Sequence, residues 1–397
     1  MTLTKKQEEG LKIAVERYKA HEKYTCIAGY AGTGKSTLVT YIIEALGIAP
    51  EDAVYVAYTG KAANVLKNKG CKNAITAHKL LYHARLMPNG KYKYTPRPVL
   101  EGSPTVVVVD EVSMLPLDLW NLLCTHKVYI IALGDPMQLP PIDKDQANHV
   151  LDNPHIFLDE VMRQAQESEI IRLSMHVREG KPLRTFPVAN QEVMIIRPFE
   201  VTDGMKLWAD QIICATNNNR RLLNNSMRKV LEYPEEHPVI GDKLINLHNE
   251  WDFTSTLDNP LTNGVIGTIT DYQIFDQDYP YTLRRKDFTI PILEVTMTGD
   301  EPGELFEYIQ GDYNELLTGT PSFSGREEFL LLRKYKDYPL PFHLAYGYAI
   351  TCWKAQGSEW GKVLGYEEFF PKVPIEHAQY LYTLITRAQD RLVLVQQ

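Results

Sequence analysis

Cysteine is scarce in this chain: five residues in 397 (Cys26, Cys71, Cys124, Cys214 and Cys352), an odd and scattered set without a Cys-x-x-Cys pair. That argues against a disulfide framework or a structural zinc site and for a reducing compartment. A basic excess is also missing. Fifty acidic residues outnumber 42 basic ones, a net charge of −8, so any nucleic-acid surface has to be a local groove with its charges near the strand. No apolar run approaches the roughly 20 residues that span a bilayer, and no apolar leader stands at the start; a cytoplasmic protein without a membrane partner is expected. Internal repeats and low-complexity segments are absent as well. What remains, 44% hydrophobic and 23% charged, is ordinary globular composition, long enough for two or more cores.

Against that background one stretch stands out, Gly29-Tyr30-Ala31-Gly32-Thr33-Gly34-Lys35-Ser36-Thr37. Gly29, four residues, then Gly34-Lys35-Ser36 is the spacing of a phosphate-binding loop. The glycines permit a tight turn that aims backbone N–H groups at phosphate, Lys35 reaches the β- and γ-phosphates, and Ser36 offers its hydroxyl to Mg²⁺. Tyr24-Thr25-Cys26-Ile27-Ala28 reads as a buried strand entering the loop, and the apolar run from Leu38 as a helix leaving it, so a plain glycine-rich turn is the poorer reading. A nucleoside triphosphate, ATP with Mg²⁺, is the expected ligand.

Upstream, a helix is expected from Thr4 to about Lys23. Thr4-Lys5-Lys6-Gln7 has capping-box form, so Gln7 either satisfies a helix-start N–H or reads an adenine edge; the residues leave both open. Downstream, Thr59-Gly60-Lys61-Ala62-Ala63 and Thr76-Ala77-His78 place small polar or basic residues where strands give way to helices, the ligand-binding edge of an open parallel sheet. His78 alone is more often a packed histidine than a functional one. The β-branched run 105–109 predicts a central strand buried on both faces, ending in Asp110-Glu111. In a phosphate-loop protein Asp110 would hold Mg²⁺ and Glu111 would orient or deprotonate the attacking water. The strand 128–133 leads to Gly134-Asp135-Pro136-Met137-Gln138-Leu139-Pro140, where Gln138 has the length to touch a γ-phosphate. Arg163 is either a surface residue or a cationic stabiliser from outside the loop.

Between residues 82 and 105 the character changes. Asn89-Gly90 flanked by alternating residues predicts a β-hairpin, with Lys91 and Lys93 on one face and Tyr92 and Tyr94 on the other. It is either a solvated loop or a surface that stacks on bases, each stack being worth about 1–3 kcal/mol. A second α/β region is expected from about residue 191. It has a strand at 211–215 and then Thr216-Asn217-Asn218-Asn219 capping an amphipathic helix. From about Pro234 to Arg326 the chain turns β-like and turn-rich, as a small barrel or sandwich would. α/β character returns with Ala349-Ile350-Thr351-Cys352-Trp353-Lys354-Ala355-Gln356-Gly357-Ser358-Glu359, a strand at 362–364, a helix through 378–388 and a last strand at 391–395.

Taken in order, these blocks, together with Glu160-Val161-Met162-Arg163-Gln164 and Tyr382-Thr383-x-x-Thr386-Arg387-Ala388, resemble the superfamily 1 helicases of the 5′-to-3′ branch, the RecD- and Dda-like proteins. The resemblance implies an α/β fold of two tandem RecA-like domains, residues 1–82 with 105–165 and residues 166–245 with 335–397. A hairpin pin at 83–104 would be inserted in the first and an SH3-like β-rich insert at 246–334 in the second. It implies ATP and Mg²⁺ in the cleft between the two domains. Gln7 would then recognise adenine, Lys35, Ser36, Asp110, Glu111 and Gln138 would come from the first domain, Arg163 and Arg387 would be arginine fingers, and Gln356 and Glu359 would face the nucleotide. Thr59, Lys61, Thr76, His78, Thr216, Asn217, Thr351, Trp353 and Lys354 would track single-stranded DNA, with Tyr92 and Tyr94 at the pin. Implied partners are single-stranded DNA and single-/double-strand junctions, with a single-strand-binding protein or replication and recombination proteins as candidates and the chain itself a monomer. Two residues depart from expectation. Trp353 stands where the family usually has His, and a Trp neither accepts a hydrogen bond nor titrates. Gly365 sits where a strand residue is expected.

The implied activity is ATP-driven 5′-to-3′ translocation with duplex unwinding; its nearest rival is a translocase that displaces proteins without processive unwinding. A P-loop kinase for a small molecule has no use for a second α/β domain ending in Thr386-Arg387, and a non-enzymatic DNA-binding module has no use for Glu111.

Overall fold

The four valines Val106–Val109 form the middle of a six-stranded sheet, and all four are buried. In this computed structural model, which describes residues 3–86, 92–140, 146–257, 259–284, 288–299, 302–334 and 338–397, the sheet runs Ala74–Thr76, Ala53–Ala57, Val106–Val109, Tyr129–Gly134, Tyr24–Gly29, Ile156–Leu158, every neighbour parallel. Alternation along the valines explains the core. Val107 and Val109 pack with Leu80, Leu81, Leu119 and Leu123 on one face, while Val106 and Val108 pack with Ala14, Leu38 and Ile42 on the other. A strand buried on both faces has no polar side to present, which is why the run reads as unbroken valine.

The chain divides into two compact units. The first comprises Met1–Val201, Ile213–Ala215 and Cys352–Gln397; the second comprises Thr202–Ile212 and Thr216–Thr351. The first unit therefore holds, besides the N-terminal sheet, three further parallel strands in the order Trp360–Tyr366, Ala388–Val395, Val193–Ile196. The helix Pro374–Ile385 packs on the strands Trp360–Tyr366 and Ala388–Val395 and on the helix Glu169–Arg178. Gly365 finds its reason here. A Cβ on it would overlap Leu384 Cδ2 and lie 3.2 Å from Leu384 Cγ, so the strand is kept bare where the helix crosses it. The predicted hairpin is present, with Tyr82–Leu86 antiparallel to Tyr92–Pro96; its Asn89-Gly90 turn and Lys91 lie outside the described residues. The first helix spans Lys5–Lys19, shorter than expected, and Ala20 caps its end ahead of the strand at Tyr24.

The second unit is built on a five-stranded sheet in the order Leu305–Asp312, Phe288–Thr298, Ile266–Tyr279, Lys243–Asn246, Leu344–Tyr346, every neighbour antiparallel. The predicted amphipathic helix is Asn217–Val230, started by the Thr216 hydroxyl, which accepts Asn219 N–H at 3.3 Å. From it Asn224 makes two 2.9 Å bonds to the backbone of Ala349, and buried Arg228 grips Asp242 through two bonds of 3.1 Å. Among the described residues no helix is long and apolar enough to cross a membrane.

His343 in this unit is buried between carboxylates. Its Nδ1 is 2.7 Å from Glu315 and its Nε2 3.7 Å from Glu328, with the His248 ring 4.2 Å away. The hydrogen bond with Glu315 raises its pKa, outweighing burial, and the charges of Glu315, Glu328 and Asp312 add to the rise. A histidine whose folded pKa is raised contributes stability that is full below its ordinary value near 6.5 and is lost as pH rises through the folded value. The melting temperature is therefore expected to fall between pH 6 and pH 8, and His343→Gln to flatten that slope; an unchanged slope in the variant would refute the assignment.

Candidate active site

The phosphate loop is built as its spacing demands. The strand Tyr24–Gly29 delivers the chain, Gly32 and Gly34 take positive φ values of 74° and 77°, and the helix starts at Lys35. Left-handed backbone at these positions favours glycine. Lys35 Nζ donates to the carbonyl oxygens of Gly29 and Tyr30 at 2.7 and 3.0 Å, so the ammonium is curled over the loop. Ser36 and Thr37 follow in the first helical turn, their N–H groups at the positive end of the helix. Gln7 makes the helix-start contacts of the first of its two open readings. It closes the capping box with Thr4, and its Nε2 donates to Thr33 O at 3.1 Å. Only 1% exposed, it supports the loop from beneath, and a Cβ on Gly34 would lie 2.6 Å from its Nε2.

Asp110 and Glu111 follow the buried strand Val106–Val109 directly. Glu111 has φ 47° and ψ 51°, a left-handed conformation costing a non-glycine residue about 1–3 kcal/mol and typical of functional sites. The pair lines a small, open cavity of about 50 Å³ together with Thr59, Lys69, Met114, Gln356, Gly357, Glu359 and Arg387. Two segments distant in sequence meet here inside one unit. Arg387 Nη1 stands 3.9 Å from Glu111 Oε1, and the guanidinium is fixed by Thr383 O, Ser358 O and Thr386 Oγ1 at 3.1, 3.1 and 3.2 Å. Burial pushes the Glu111 carboxyl up to about 7, opposed by Arg387 and reinforced by Asp110. Burial also raises Asp110, with Lys35 pulling it down. Glu359 goes the other way. Burial would raise it, but Lys69, at 3.2 Å, and the amide of Gln389 outweigh that and hold it below the usual range. Gln356 is 5% exposed and donates to Leu139 O at 2.7 Å. Its Oε1 is buried without a hydrogen-bond partner among the described residues, an acceptor in the cavity wall that a ligand or water would satisfy.

The other predicted residues divide clearly. Gln138 is half-buried on the turn after the strand Tyr129–Gly134 and does not line the cavity. Arg163 opens the short helix Arg163–Glu167; its side chain, like that of Tyr92, lies outside the described residues. Thr59 and Thr76 are helix caps, accepting Ala62 and Lys79 N–H at 3.2 and 3.3 Å. Lys61 lies over the Trp360 ring at 4.7 Å. His78 is packed between Tyr58 and Tyr82, and burial lowers its pKa. Trp353 is half-buried with its ring centroid 6.2 Å from that of Phe370, and Lys354 follows in the same short helix. Tyr94 pairs with Ala84 in the hairpin. Thr216, Asn217 and the buried Thr351 belong to the second unit.

Three residues at the site carried no individual signal in the sequence. Tyr382, 1% exposed, places its hydroxyl 2.7 Å from the Ala31 amide and 2.7 Å from Asp135 Oδ2. Neighbouring Thr383 accepts Leu139 N–H at 2.8 Å. Burial raises the pKa of Asp135, with Lys35 and Tyr382 acting against it.

Comparison with known proteins agrees with this layout. Residues 2–196 match the AAA domain family model and residues 346–395 the UvrD-like helicase C-terminal domain. The ATP-dependent RecD2 DNA helicase of Deinococcus radiodurans is 28% identical over 391 residues, covering 94% of this chain and 47% of the relative. The ATP-dependent DNA helicase dda of Enterobacteria phage T4 is 25% identical over 272 residues, covering 61% of this chain and 60% of the relative. The chain thus spans about half to three fifths of the length of these curated relatives. Bacteroides Pif1 helicase in complex with ADP-AlF3 and ssDNA superposes over 99% of this chain and 92% of its own with a TM-score of 0.49 at 17% identity. In its ordered motifs, its two family matches in chain order and a relative aligned along nearly its whole length, the chain is similar to the superfamily 1 helicases of the RecD/Dda type.

Proposed function

We propose that the chain is an ATP-driven motor that moves 5′ to 3′ along single-stranded DNA and separates duplex at the hairpin. The observation that carries this reading is the meeting of Asp110 and Glu111 with Arg387 in one cavity. A phosphate loop alone binds nucleotide; a water-activating carboxylate facing an arginine hydrolyses it. Lys35 exchanges the carbonyl oxygens of Gly29 and Tyr30 for β- and γ-phosphate oxygens. Glu111, with a pKa of about 7, takes a proton from the attacking water at its carboxylate, a value matched to general-base work near neutrality. Arg387 and, as a second finger, Arg163 stabilise the charge that develops, and Gln138, Gln356 and Glu359 contact the nucleotide or its water.

The donor set suits Mg²⁺. Asp110 and the Ser36 hydroxyl are hard oxygen donors beside the phosphate loop. Among the described residues no group of three or more His, Cys, Asp or Glu side chains could hold a metal by itself, as expected when phosphates and water complete the shell. Ser36 and Asp110 would hold Mg²⁺, which would supply charge neutralisation at the phosphates.

Opening duplex costs roughly 1.4 kcal/mol per base-pair step, more than a passive wedge supplies over many steps, so hydrolysis has to drive it. The proposed DNA contacts are Thr59, Lys61, Thr76, His78, Trp353 and Lys354 on the first unit, Thr216, Asn217 and Thr351 on the second, and Tyr92 and Tyr94 on the hairpin. Partner proteins would be a single-strand-binding protein or replication and recombination factors, with the chain acting as a monomer. The test is an unwinding assay on 5′-tailed and 3′-tailed partial duplexes with ATP and Mg²⁺. Strand separation only from the 5′ tail is expected, with ATPase stimulated by oligo-dT. Unwinding only from the 3′ tail overturns the polarity, stimulated ATPase without unwinding from either tail leaves a protein-displacing translocase, and ATPase indifferent to oligo-dT rejects the motor.

A further inference from the structure

We infer that Tyr382 is a positioning residue of the ATPase site, its hydroxyl locking the phosphate loop to the loop that carries Gln138; this rests on the ATP-hydrolysis reading above. A phenylalanine would fill the same space. Burying a phenol hydroxyl is unfavourable unless it is bonded, and both of its bonds go to functional loops. It accepts the N–H of Ala31, inside the phosphate loop, and donates to Asp135 Oδ2, each at 2.7 Å. Asp135 Oδ1 in turn accepts Met137 N–H at 2.9 Å, which shapes the turn just before Gln138.

A second fastening lies one residue on. Thr383 Oγ1 accepts Leu139 N–H at 2.8 Å while Leu139 O accepts Gln356 Nε2 at 2.7 Å, and Gln379 Nε2 donates to Pro136 O at 3.2 Å. The helix Pro374–Ile385 therefore holds residues 135–139 at both ends, and past its cap it leads to Arg387. Gln138, Arg387 and the Ala31 amide are tied to one rigid element. A shift of that helix moves the γ-phosphate contact and the finger together, and the hydroxyl of Tyr382 is the link that carries the shift into the phosphate loop. Misplacement by an ångström costs catalysis up to about 100-fold while leaving ground-state binding largely intact.

The test uses Tyr382→Phe in the full chain. With saturating oligo-dT, kcat for ATP is expected to fall about 10- to 100-fold with KM within about threefold. Amide exchange in peptides covering 135–139 and 29–34 is expected to quicken by about tenfold as a buried hydrogen bond is lost. Asp135→Ala should behave alike, Asp135→Asn, which keeps an acceptor for the hydroxyl, should lose less, and the double variant Tyr382→Phe/Asp135→Ala should be no worse than the poorer single one. A kcat within twofold of the parent, unchanged exchange at 135–139, equal loss in Asp135→Asn and Asp135→Ala, or multiplying losses in the double variant each overturn the proposal. The exchange readout needs no turnover, so a parent protein that binds ATP without hydrolysing it rejects the motor reading and still leaves this link tested.

Discussion

Replacing Arg387 with Ala is expected to lower oligo-dT-stimulated ATP turnover by about 10³-fold or more, the range an arginine finger supplies in phosphoryl transfer, with a much smaller change in ATP KM. The guanidinium is 3% exposed and held by three hydrogen bonds, so it is preorganised rather than recruited, and such a charge acts most strongly where water is excluded. It also acts on its neighbour. Arg387 opposes the rise in the Glu111 pKa that burial causes, so the variant loses both the stabilising cation and part of the ionised base near neutral pH. Arg387→Lys is expected to recover little, because an ammonium cannot reproduce the fork that spans Thr383, Ser358 and Thr386. Steady-state kinetics of both variants beside Lys35→Ala, with circular dichroism to confirm folding, decide it. A loss under tenfold in Arg387→Ala would remove the residue from the reaction.

Gly365→Val should destabilise the protein by about 1–3 kcal/mol, the cost of overpacking a tight core. Added carbon at this position meets Leu384, which is fully buried on the helix Pro374–Ile385. Neither the parallel strand Trp360–Tyr366 nor that helix has room to retreat without disturbing the segment that positions Tyr382, Thr383 and Arg387. Turnover should therefore fall along with stability. Urea unfolding of Gly365→Val, Leu384→Ala and the double variant provides the check. The double variant should recover part of the loss, since the smaller residue opens space for the larger, and strictly additive losses would show that the contact is not the cause.

Much of the candidate site was legible because its signals are local. The Gly29 to Ser36 spacing, the Thr4 and Gln7 box, and the cap at Thr216 are interactions over a few residues, and chain order preserves them. The hairpin Tyr82–Leu86 with Tyr92–Pro96 was legible for the same reason. Tyr382 and Asp135 were not. Each sat in a motif block without a visible task, because the bonds from Tyr382 to Ala31 and Asp135 join segments that only the fold brings together. Gln7 was ambiguous between a helix start and an adenine edge; spacing carries the helix start, and the bond to the distant Thr33 carbonyl came only with the fold.

By itself the sequence determined the phosphate loop, the strand of buried valines and the acidic pair at its tip, since each depends on residue type and short spacing. The tertiary structure decided what those pieces face. It set Arg387 against Glu111, lifted the Glu111 carboxyl to about 7 by burying it, and emptied position 365 so that Leu384 could close on the strand. Burial and long-range contact are properties of the packed chain, and no local pattern carries them.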